Sequence, residues 1–246
     1  MATSPSKRFA ATIPRFRRAV GDWLAEQSRS GSVTAPAATL ARRILWQRAH
    51  RPSQFVLSYL AGMNGIEIGA SAHNDYGLDA INVDRYGEAD TIYKQDEWRL
   101  TGRRRAVDIV ASGDDLPFED DAADFVFASH VLEHFPDPIR ALKEWLRVAR
   151  KYVVLVIPHR DRTFDCEREL TSVDELISRH EQGFDDPRDL HWSVWTLERF
   201  LELCERVGFR IVDTLDPDDK FGDGFVAVLD ATPPSRGGAG RVPAPE

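Results

Sequence analysis

The chain has 246 residues, 42% of them hydrophobic, with 32 Lys and Arg against 40 Asp and Glu and a formal net charge of −8. That length suits one large domain, or one domain with additions, and the apolar share is adequate for a packed core. No apolar run nears the roughly 20 residues of a membrane helix, so no membrane span is expected, and the acidic balance argues against nucleic acid as a partner, because phosphate contacts need clustered cations.

In chain order, residues 1–8 read as disordered. The spacing predicts a helix over 9–27, with Phe16, Val20, Trp23 and Leu24 near one face, and a second over 38–50. The start lacks the charged-then-apolar order of a secretion signal. Residues 1–51 carry ten Lys or Arg against Asp22 and Glu26, which leaves about −16 for the rest. This basic segment either touches an anionic surface or partner, or packs as a solvated face on its own acidic body. Its helices, with Phe16, Trp23 and Trp46, either cover an acceptor site or form a homodimer contact. A third short helix is expected over 52–60, with Gly62 beyond its end.

Short β-branched runs then predict seven strands, over 65–68, 81–84, 107–110, 124–128, 153–157, 210–215 and 225–229. Ile139, Leu142, Trp145, Leu146 and Ala149 recur at helical spacing over 138–149, with Asp137 available as a cap. Leu197, Phe200, Leu201, Cys204 and Val207 do the same over 196–207, ended by Gly208. A helix is also read over 173–181, where His180 is taken as structural. Strands alternating with helices imply a mostly parallel α/β sheet with helices on both faces. The last two strands have no helix between them and read as an antiparallel hairpin. The tail, 232–246, is rich in Pro and Gly and reads as disordered. Only Cys166 and Cys204 are present, which gives no disulfide framework and no metal-ligand spacing. A cytoplasmic setting is the default.

The stretch 65–84, GIEIGASAHNDYGLDAINVD, runs strand, small-residue turn, strand and acid. It is either a nucleotide-binding crossover, in which Gly69 admits a ligand and Asp84 meets ribose hydroxyls, or an ordinary turn between strands. The stretch 107–137 brings two more strand ends to the same edge. There the amides of Asp114 and Asp115 are candidates to hold an adenine, with Leu116 on its face; a polar loop with a Pro turn is the other reading.

Together these stretches resemble the class I S-adenosylmethionine-dependent methyltransferases of the type 11 branch. The motif residues are Leu116-Pro117-Phe118, Asp124-Phe125-Val126-Phe127 and His130-Val131-Leu132-Glu133-His134. The resemblance covers roughly residues 62–230 and implies a Rossmann-like seven-stranded sheet with a reversed last strand. It divides the chain into an N-terminal helical extension (1–61), a methyltransferase domain (62–231) and a tail. It implies S-adenosylmethionine as cofactor, bound by Glu67, Gly69, Ser71, Asn74, Asp84, Gly113, Asp114, Leu116, Ser129 and His130. Two further glycines of the family loop are replaced by Ser71 and His73, and the segment 70–80 is short for a crossover helix.

Acceptor chemistry rests on what is particular to this chain. His159, directly off a strand end, is either a general base or a loop histidine; its ordinary pKa of about 6.5 suits proton abstraction near neutrality. Arg160 follows it. In His191-Trp192-Ser193-Val194-Trp195, aromatic rings beside polar groups suit sugar faces, or else the two Trp simply pack. Glu133 and His134 are read as a metal site, a base or structural. The loop around Ser71 to Asn74 and the element from Pro158 to Asp165 resemble methyltransferases of polysaccharide synthesis, among them the mycobacterial sugar 1-O-methyltransferases of methylmannose polysaccharides. That resemblance implies O-methylation of a saccharide or glycoside. It also implies a divalent metal such as Mg2+ near the acceptor, with Glu133, Asp161 and Asp165 as candidate ligands. The rival readings are a methyltransferase for a lipid or other small acceptor, and a non-catalytic cofactor-binding subunit.

Overall fold

The computed structural model describes residues 52–70, 76–88, 91–102 and 104–232. The helices expected over 9–27 and 38–50, Ser71 and Asn74 of the cofactor loop, and nearly all of the tail lie outside the described residues.

The described chain forms a seven-stranded sheet with helices on both sides. In order along the chain it consists of α1 (Gln54–Leu60), β1 (Asn64–Ile68), β2 (Asp79–Asp84), α2 (Ile92–Thr101), β3 (Ile109–Val110) and β4 (Ala123–Ser129). Then come α3 (Pro138–Val148), β5 (Ala149–Pro158), α4 (Val173–Gln182), α5 (Leu197–Val207), β6 (Ile211–Leu215) and β7 (Gly224–Asp230). The strands are ordered β3-β2-β1-β4-β5-β7-β6. All pairs are parallel except those of β7 with β5 and β6, so the expected reversed last strand is present.

The sheet is buried on both faces, which explains why its strands read as short continuous apolar runs. Along β4, Phe125 and Phe127 point to one side and Val126 and Ala128 to the other, as the two-residue period of a strand requires. The first side meets Val56 and Leu60 of α1, and the second meets Ile139, Leu142 and Trp145 of α3 and Phe200 of α5. Truncating Phe127 to Ala would cost about 3–5 kcal/mol.

The caps set the helix limits. Asp137 accepts from Arg140 N at 3.0 Å, and Pro138 opens α3. Thr196 caps α5, and Gly208 ends it at φ +87°. α1 starts at Gln54, two residues after the expected start, because the Ser53 hydroxyl caps Val56 N. Ala149, expected as helical, opens β5 instead. Cys166 is exposed and Cys204 buried, both as free thiols. Among the described residues no helix is long and apolar enough to cross a membrane.

Candidate active site

Parallel register brings the carboxyl ends of four strands to one edge. Ile68 pairs with both Val83 and Ala128, and Ser129 pairs with Val156. The strand order reverses between β1 and β4, where open α/β sheets bind ligands. Gly69, Asp84, Ser129 and His130 all stand on this edge.

Gly69 has φ +67°, and a Cβ there would come within 2.9 Å of Val131 Cγ2, so the turn after β1 abuts the segment after β4. Below it, Glu67 is fully buried and ion-paired with Arg105, whose second guanidinium nitrogen donates to Ala80 O at 3.0 Å. Glu67 therefore braces β1 against β2. Asp84 Oδ1 accepts from Tyr86 N at 2.9 Å, and burial raises its pKa against the opposing pull of that bond and of Lys94.

The loop after β3 is held from α3. Leu116 N donates to Glu144 Oε1 at 2.8 Å, Arg147 donates to Phe118 O at 2.8 Å, and Trp145 Nε1 donates to Gly113 O at 2.7 Å. Asp115 N donates to Ser112 O within the turn, so it is not the free adenine donor expected of it. Leu116 is a core residue, and Asp114 is engaged by Ser112 and Arg140.

At the end of β4, Ser129 is buried and His130 takes φ +55°, a left-handed conformation that non-glycine residues rarely adopt. Burial opposes a charge on His130, but the bond to Asp223 and the acids around it outweigh burial and lift its pKa to about 9.

One turn further on, Glu133, His134 and His191 bring their donor atoms within 4.8 Å of one another. His134 Nδ1 lies 2.8 Å from Asp189 Oδ1, and Tyr93 of α2 donates to Asp189 Oδ2 at 2.6 Å. His191 Nδ1 lies 2.7 Å from Asp165 Oδ2, and Arg168 donates to Asp165 Oδ1 at 2.7 Å. The backbone N–H groups of Trp192 and Ser193 donate to Glu133 O at 2.7 and 3.3 Å, which clamps the two segments together. α2 links this group to the turn after β1, because Lys94 Nζ donates to Ala70 O at 2.9 Å. Phe164, 63% exposed, lies with its ring 4.7 Å from His191. Tyr93, Lys94 and Asp189 carried no signal in the sequence, since nothing in their spacing ties them to the motifs, whereas Phe164 lies in the element from Pro158 to Asp165.

The other expected acceptor residues sit differently. His159 Nδ1 accepts from Asp161 N at 3.2 Å, so its side chain caps a single 3-10 turn. Burial and the nearby Arg162 lower its pKa. The neutral ring then carries its proton on Nε2 and presents a donor, which is opposite to what a base needs. Arg160 Nε is bound by Asp161 at 2.8 Å. The Trp192 ring is packed by Phe184 and by the Arg188 guanidinium, 5.2 Å from its centroid, and Trp195 is buried against Phe200. Both Trp rings are thus engaged in packing contacts.

Residues 65–157 match the family model described as a methyltransferase domain. This stretch is similar to methyltransferase domains. The sheet edge fits S-adenosylmethionine, the cofactor that this likeness implies: a half-buried carboxylate ends β2 and a left-handed glycine follows β1. A methyltransferase of unassigned function from Mycolicibacterium vanbaalenii is 37% identical over 106 residues, 43% of this chain and 40% of the relative. The aligned stretch thus spans about two fifths of that relative's length. A solved Thermotoga maritima methyltransferase, described as a possible histamine N-methyltransferase, aligns at 20% identity and TM-score 0.49, covering 78% of this chain and 95% of that one. A Methanosarcina mazei S-adenosylmethionine-dependent methyltransferase aligns at 19% identity and TM-score 0.46, covering 73% and 97%.

Proposed function

We propose that this chain transfers a methyl group from S-adenosylmethionine to a hydroxyl of a saccharide or glycoside in the cytoplasm. The observation that carries the reading is the group at the end of β4. Two histidines, each with Nδ1 held by a carboxylate, stand beside the cofactor turn, with an exposed aromatic ring at 4.7 Å from one of them. Polar groups that recognise hydroxyls, next to an aromatic face, suit a sugar better than a lipid chain. The exposed free thiol of Cys166 agrees with a reducing compartment.

The cofactor supplies a methyl group made electrophilic by a sulfonium. In this reading Asp84 accepts the ribose hydroxyls, with Gly69 giving the backbone room to approach; Gly113 and Asp114 border the base, and Ser129 and His130 border the methionine part. The acceptor hydroxyl faces the side chains of Glu133, His134 and His191, and its proton passes to solvent on that side as the carbon–oxygen bond forms. Positioning does most of the catalytic work. His159 orders the turn Arg160–Arg162, and Thr163 caps the next one, which carries Asp165. Titration with S-adenosylhomocysteine followed by a labelled-methyl assay on sugars, lipids and protein tests the proposal. Label in a lipid fraction alone would replace the saccharide, and cofactor binding with no turnover on any acceptor would favour the regulatory alternative.

A further inference from the structure

The Mg2+ set implied by resemblance does not fit the side chains. Asp161 is engaged by Arg160, and Asp165 lies between Arg168 and His191. A different set converges. We propose that Glu133, His134 and His191 bind one divalent transition-metal ion of the Zn2+ or Co2+ kind, a site that deepens, and rests on, the acceptor face described above.

Three independent observations support it. First, the three donor atoms lie within 4.8 Å of one another. Two donors each about 2.1 Å from one ion stand roughly 3–4 Å apart, so small side-chain rotations close the set. Second, both imidazoles have Nδ1 taken by a carboxylate, Asp189 at 2.8 Å and Asp165 at 2.7 Å. That arrangement leaves Nε2 as the free donor and is the carboxylate–histidine pairing that orients metal ligands. Third, Glu133 is 1% exposed, and its Oε2 has no hydrogen-bond partner among the described residues. A buried carboxylate oxygen without a donor is costly, and a cation against it removes that cost.

The donor chemistry decides the class of ion. Two nitrogens and one carboxylate suit Zn2+, Co2+, Mn2+ or Fe2+, whereas Mg2+ takes oxygen ligands in near-octahedral geometry. Three protein ligands leave a position open. A hydroxyl oxygen of the acceptor fits there, where the ion makes its proton more acidic and fixes the oxygen beside the cofactor turn. The clamp from Trp192 N and Ser193 N to Glu133 O holds the two ligand segments, 58 positions apart in sequence, at this spacing.

The test uses the full chain, stripped with chelator and titrated with Co2+ while its visible d–d absorption is recorded, with S-adenosylhomocysteine binding measured in parallel. One Co2+ per chain is expected, displaced by Zn2+ and not by Mg2+. Glu133→Gln and His191→Gln should each weaken binding about 100-fold or more, and Asp165→Asn about 10- to 100-fold through the orientation of His191. Circular dichroism and retained S-adenosylhomocysteine binding show that the variants are folded. No saturable band, or a band unchanged in folded His191→Gln, would overturn the metal site, and so would displacement by equimolar Mg2+. Failure of the metal site with intact S-adenosylhomocysteine binding leaves the methyltransferase reading standing. A Co2+ band without S-adenosylhomocysteine binding would overturn that reading and not the site.

Discussion

Trp145→Phe probes the joint between core and cofactor loop. Trp145 is fully buried on α3, and its indole N–H donates to Gly113 O at 2.7 Å, while its ring meets Phe135 edge-on at 5.7 Å. Phenylalanine removes the donor and leaves the buried Gly113 carbonyl unpaired, at a cost of about 1–3 kcal/mol. The smaller ring also leaves a void worth about 1 kcal/mol. Together these lower stability by about 2–4 kcal/mol, which for a domain of this size lowers Tm by roughly 5–15 °C. A Cβ on Gly113 would come within 2.9 Å of both Ile68 and Phe135, so this turn has no slack, and losing its tether misplaces the loop. S-adenosylhomocysteine affinity should therefore fall about tenfold, or 1.4 kcal/mol. Urea unfolding and calorimetric titration measure the two effects. A loss below about 1 kcal/mol with unchanged affinity would refute the idea that this bond couples core to site.

Three further outcomes follow from the same geometry. Asp84 has a raised pKa because it is buried, so its ionised form costs stability above the ordinary value of 3.8 and the native state favours the proton. Asp84→Asn should stabilise the fold at neutral pH, with the gain fading below pH 3.8, while weakening S-adenosylhomocysteine binding about 10- to 100-fold through loss of a charged hydrogen bond. His130, lifted to about 9 from 6.5, contributes stability that is complete below pH 6.5 and is lost as pH rises through about 9; Asp223→Asn should flatten that part of a stability–pH profile. His159→Asn, which keeps an acceptor for Asp161 N–H, should retain methyl transfer, and loss of turnover with intact cofactor binding would restore His159 as the base.

The sheet was legible in the sequence because burial on both faces turns a strand into a short apolar run with sharp ends. Val153 to Ile157 and Phe225 to Leu229 show this plainly, and the absence of a helix before β7 gave away its reversal. α2 left no comparable signal: Lys94 and Glu97, buried among its described side chains, are charged and pair with each other at 3.0 Å. The residues proposed for the cofactor could be grouped from the sequence because they lie at strand ends, where chain order and position in space coincide. Asp84, at the end of β2, is one such residue. The acceptor face was not readable as a unit. Glu133, His134 and His191 each drew notice, but the contact between them is made by backbone bonds from Trp192 and Ser193 to Glu133 O, which no spacing encodes. The role of His159 was not readable for a related reason: the direction of its lone pair is fixed by Asp161 N, a detail of local backbone geometry.

The central claim is methyl transfer to a hydroxyl, and its most direct test is transfer of labelled methyl from S-adenosylmethionine by the full chain to a panel of saccharides and glycosides. The expected result is label in the sugar fraction as an alkali-stable ether, formed in equal amount with S-adenosylhomocysteine. Label that stays entirely in the donor across saccharide, lipid and protein acceptors, whether or not the chain binds S-adenosylhomocysteine, would contradict it.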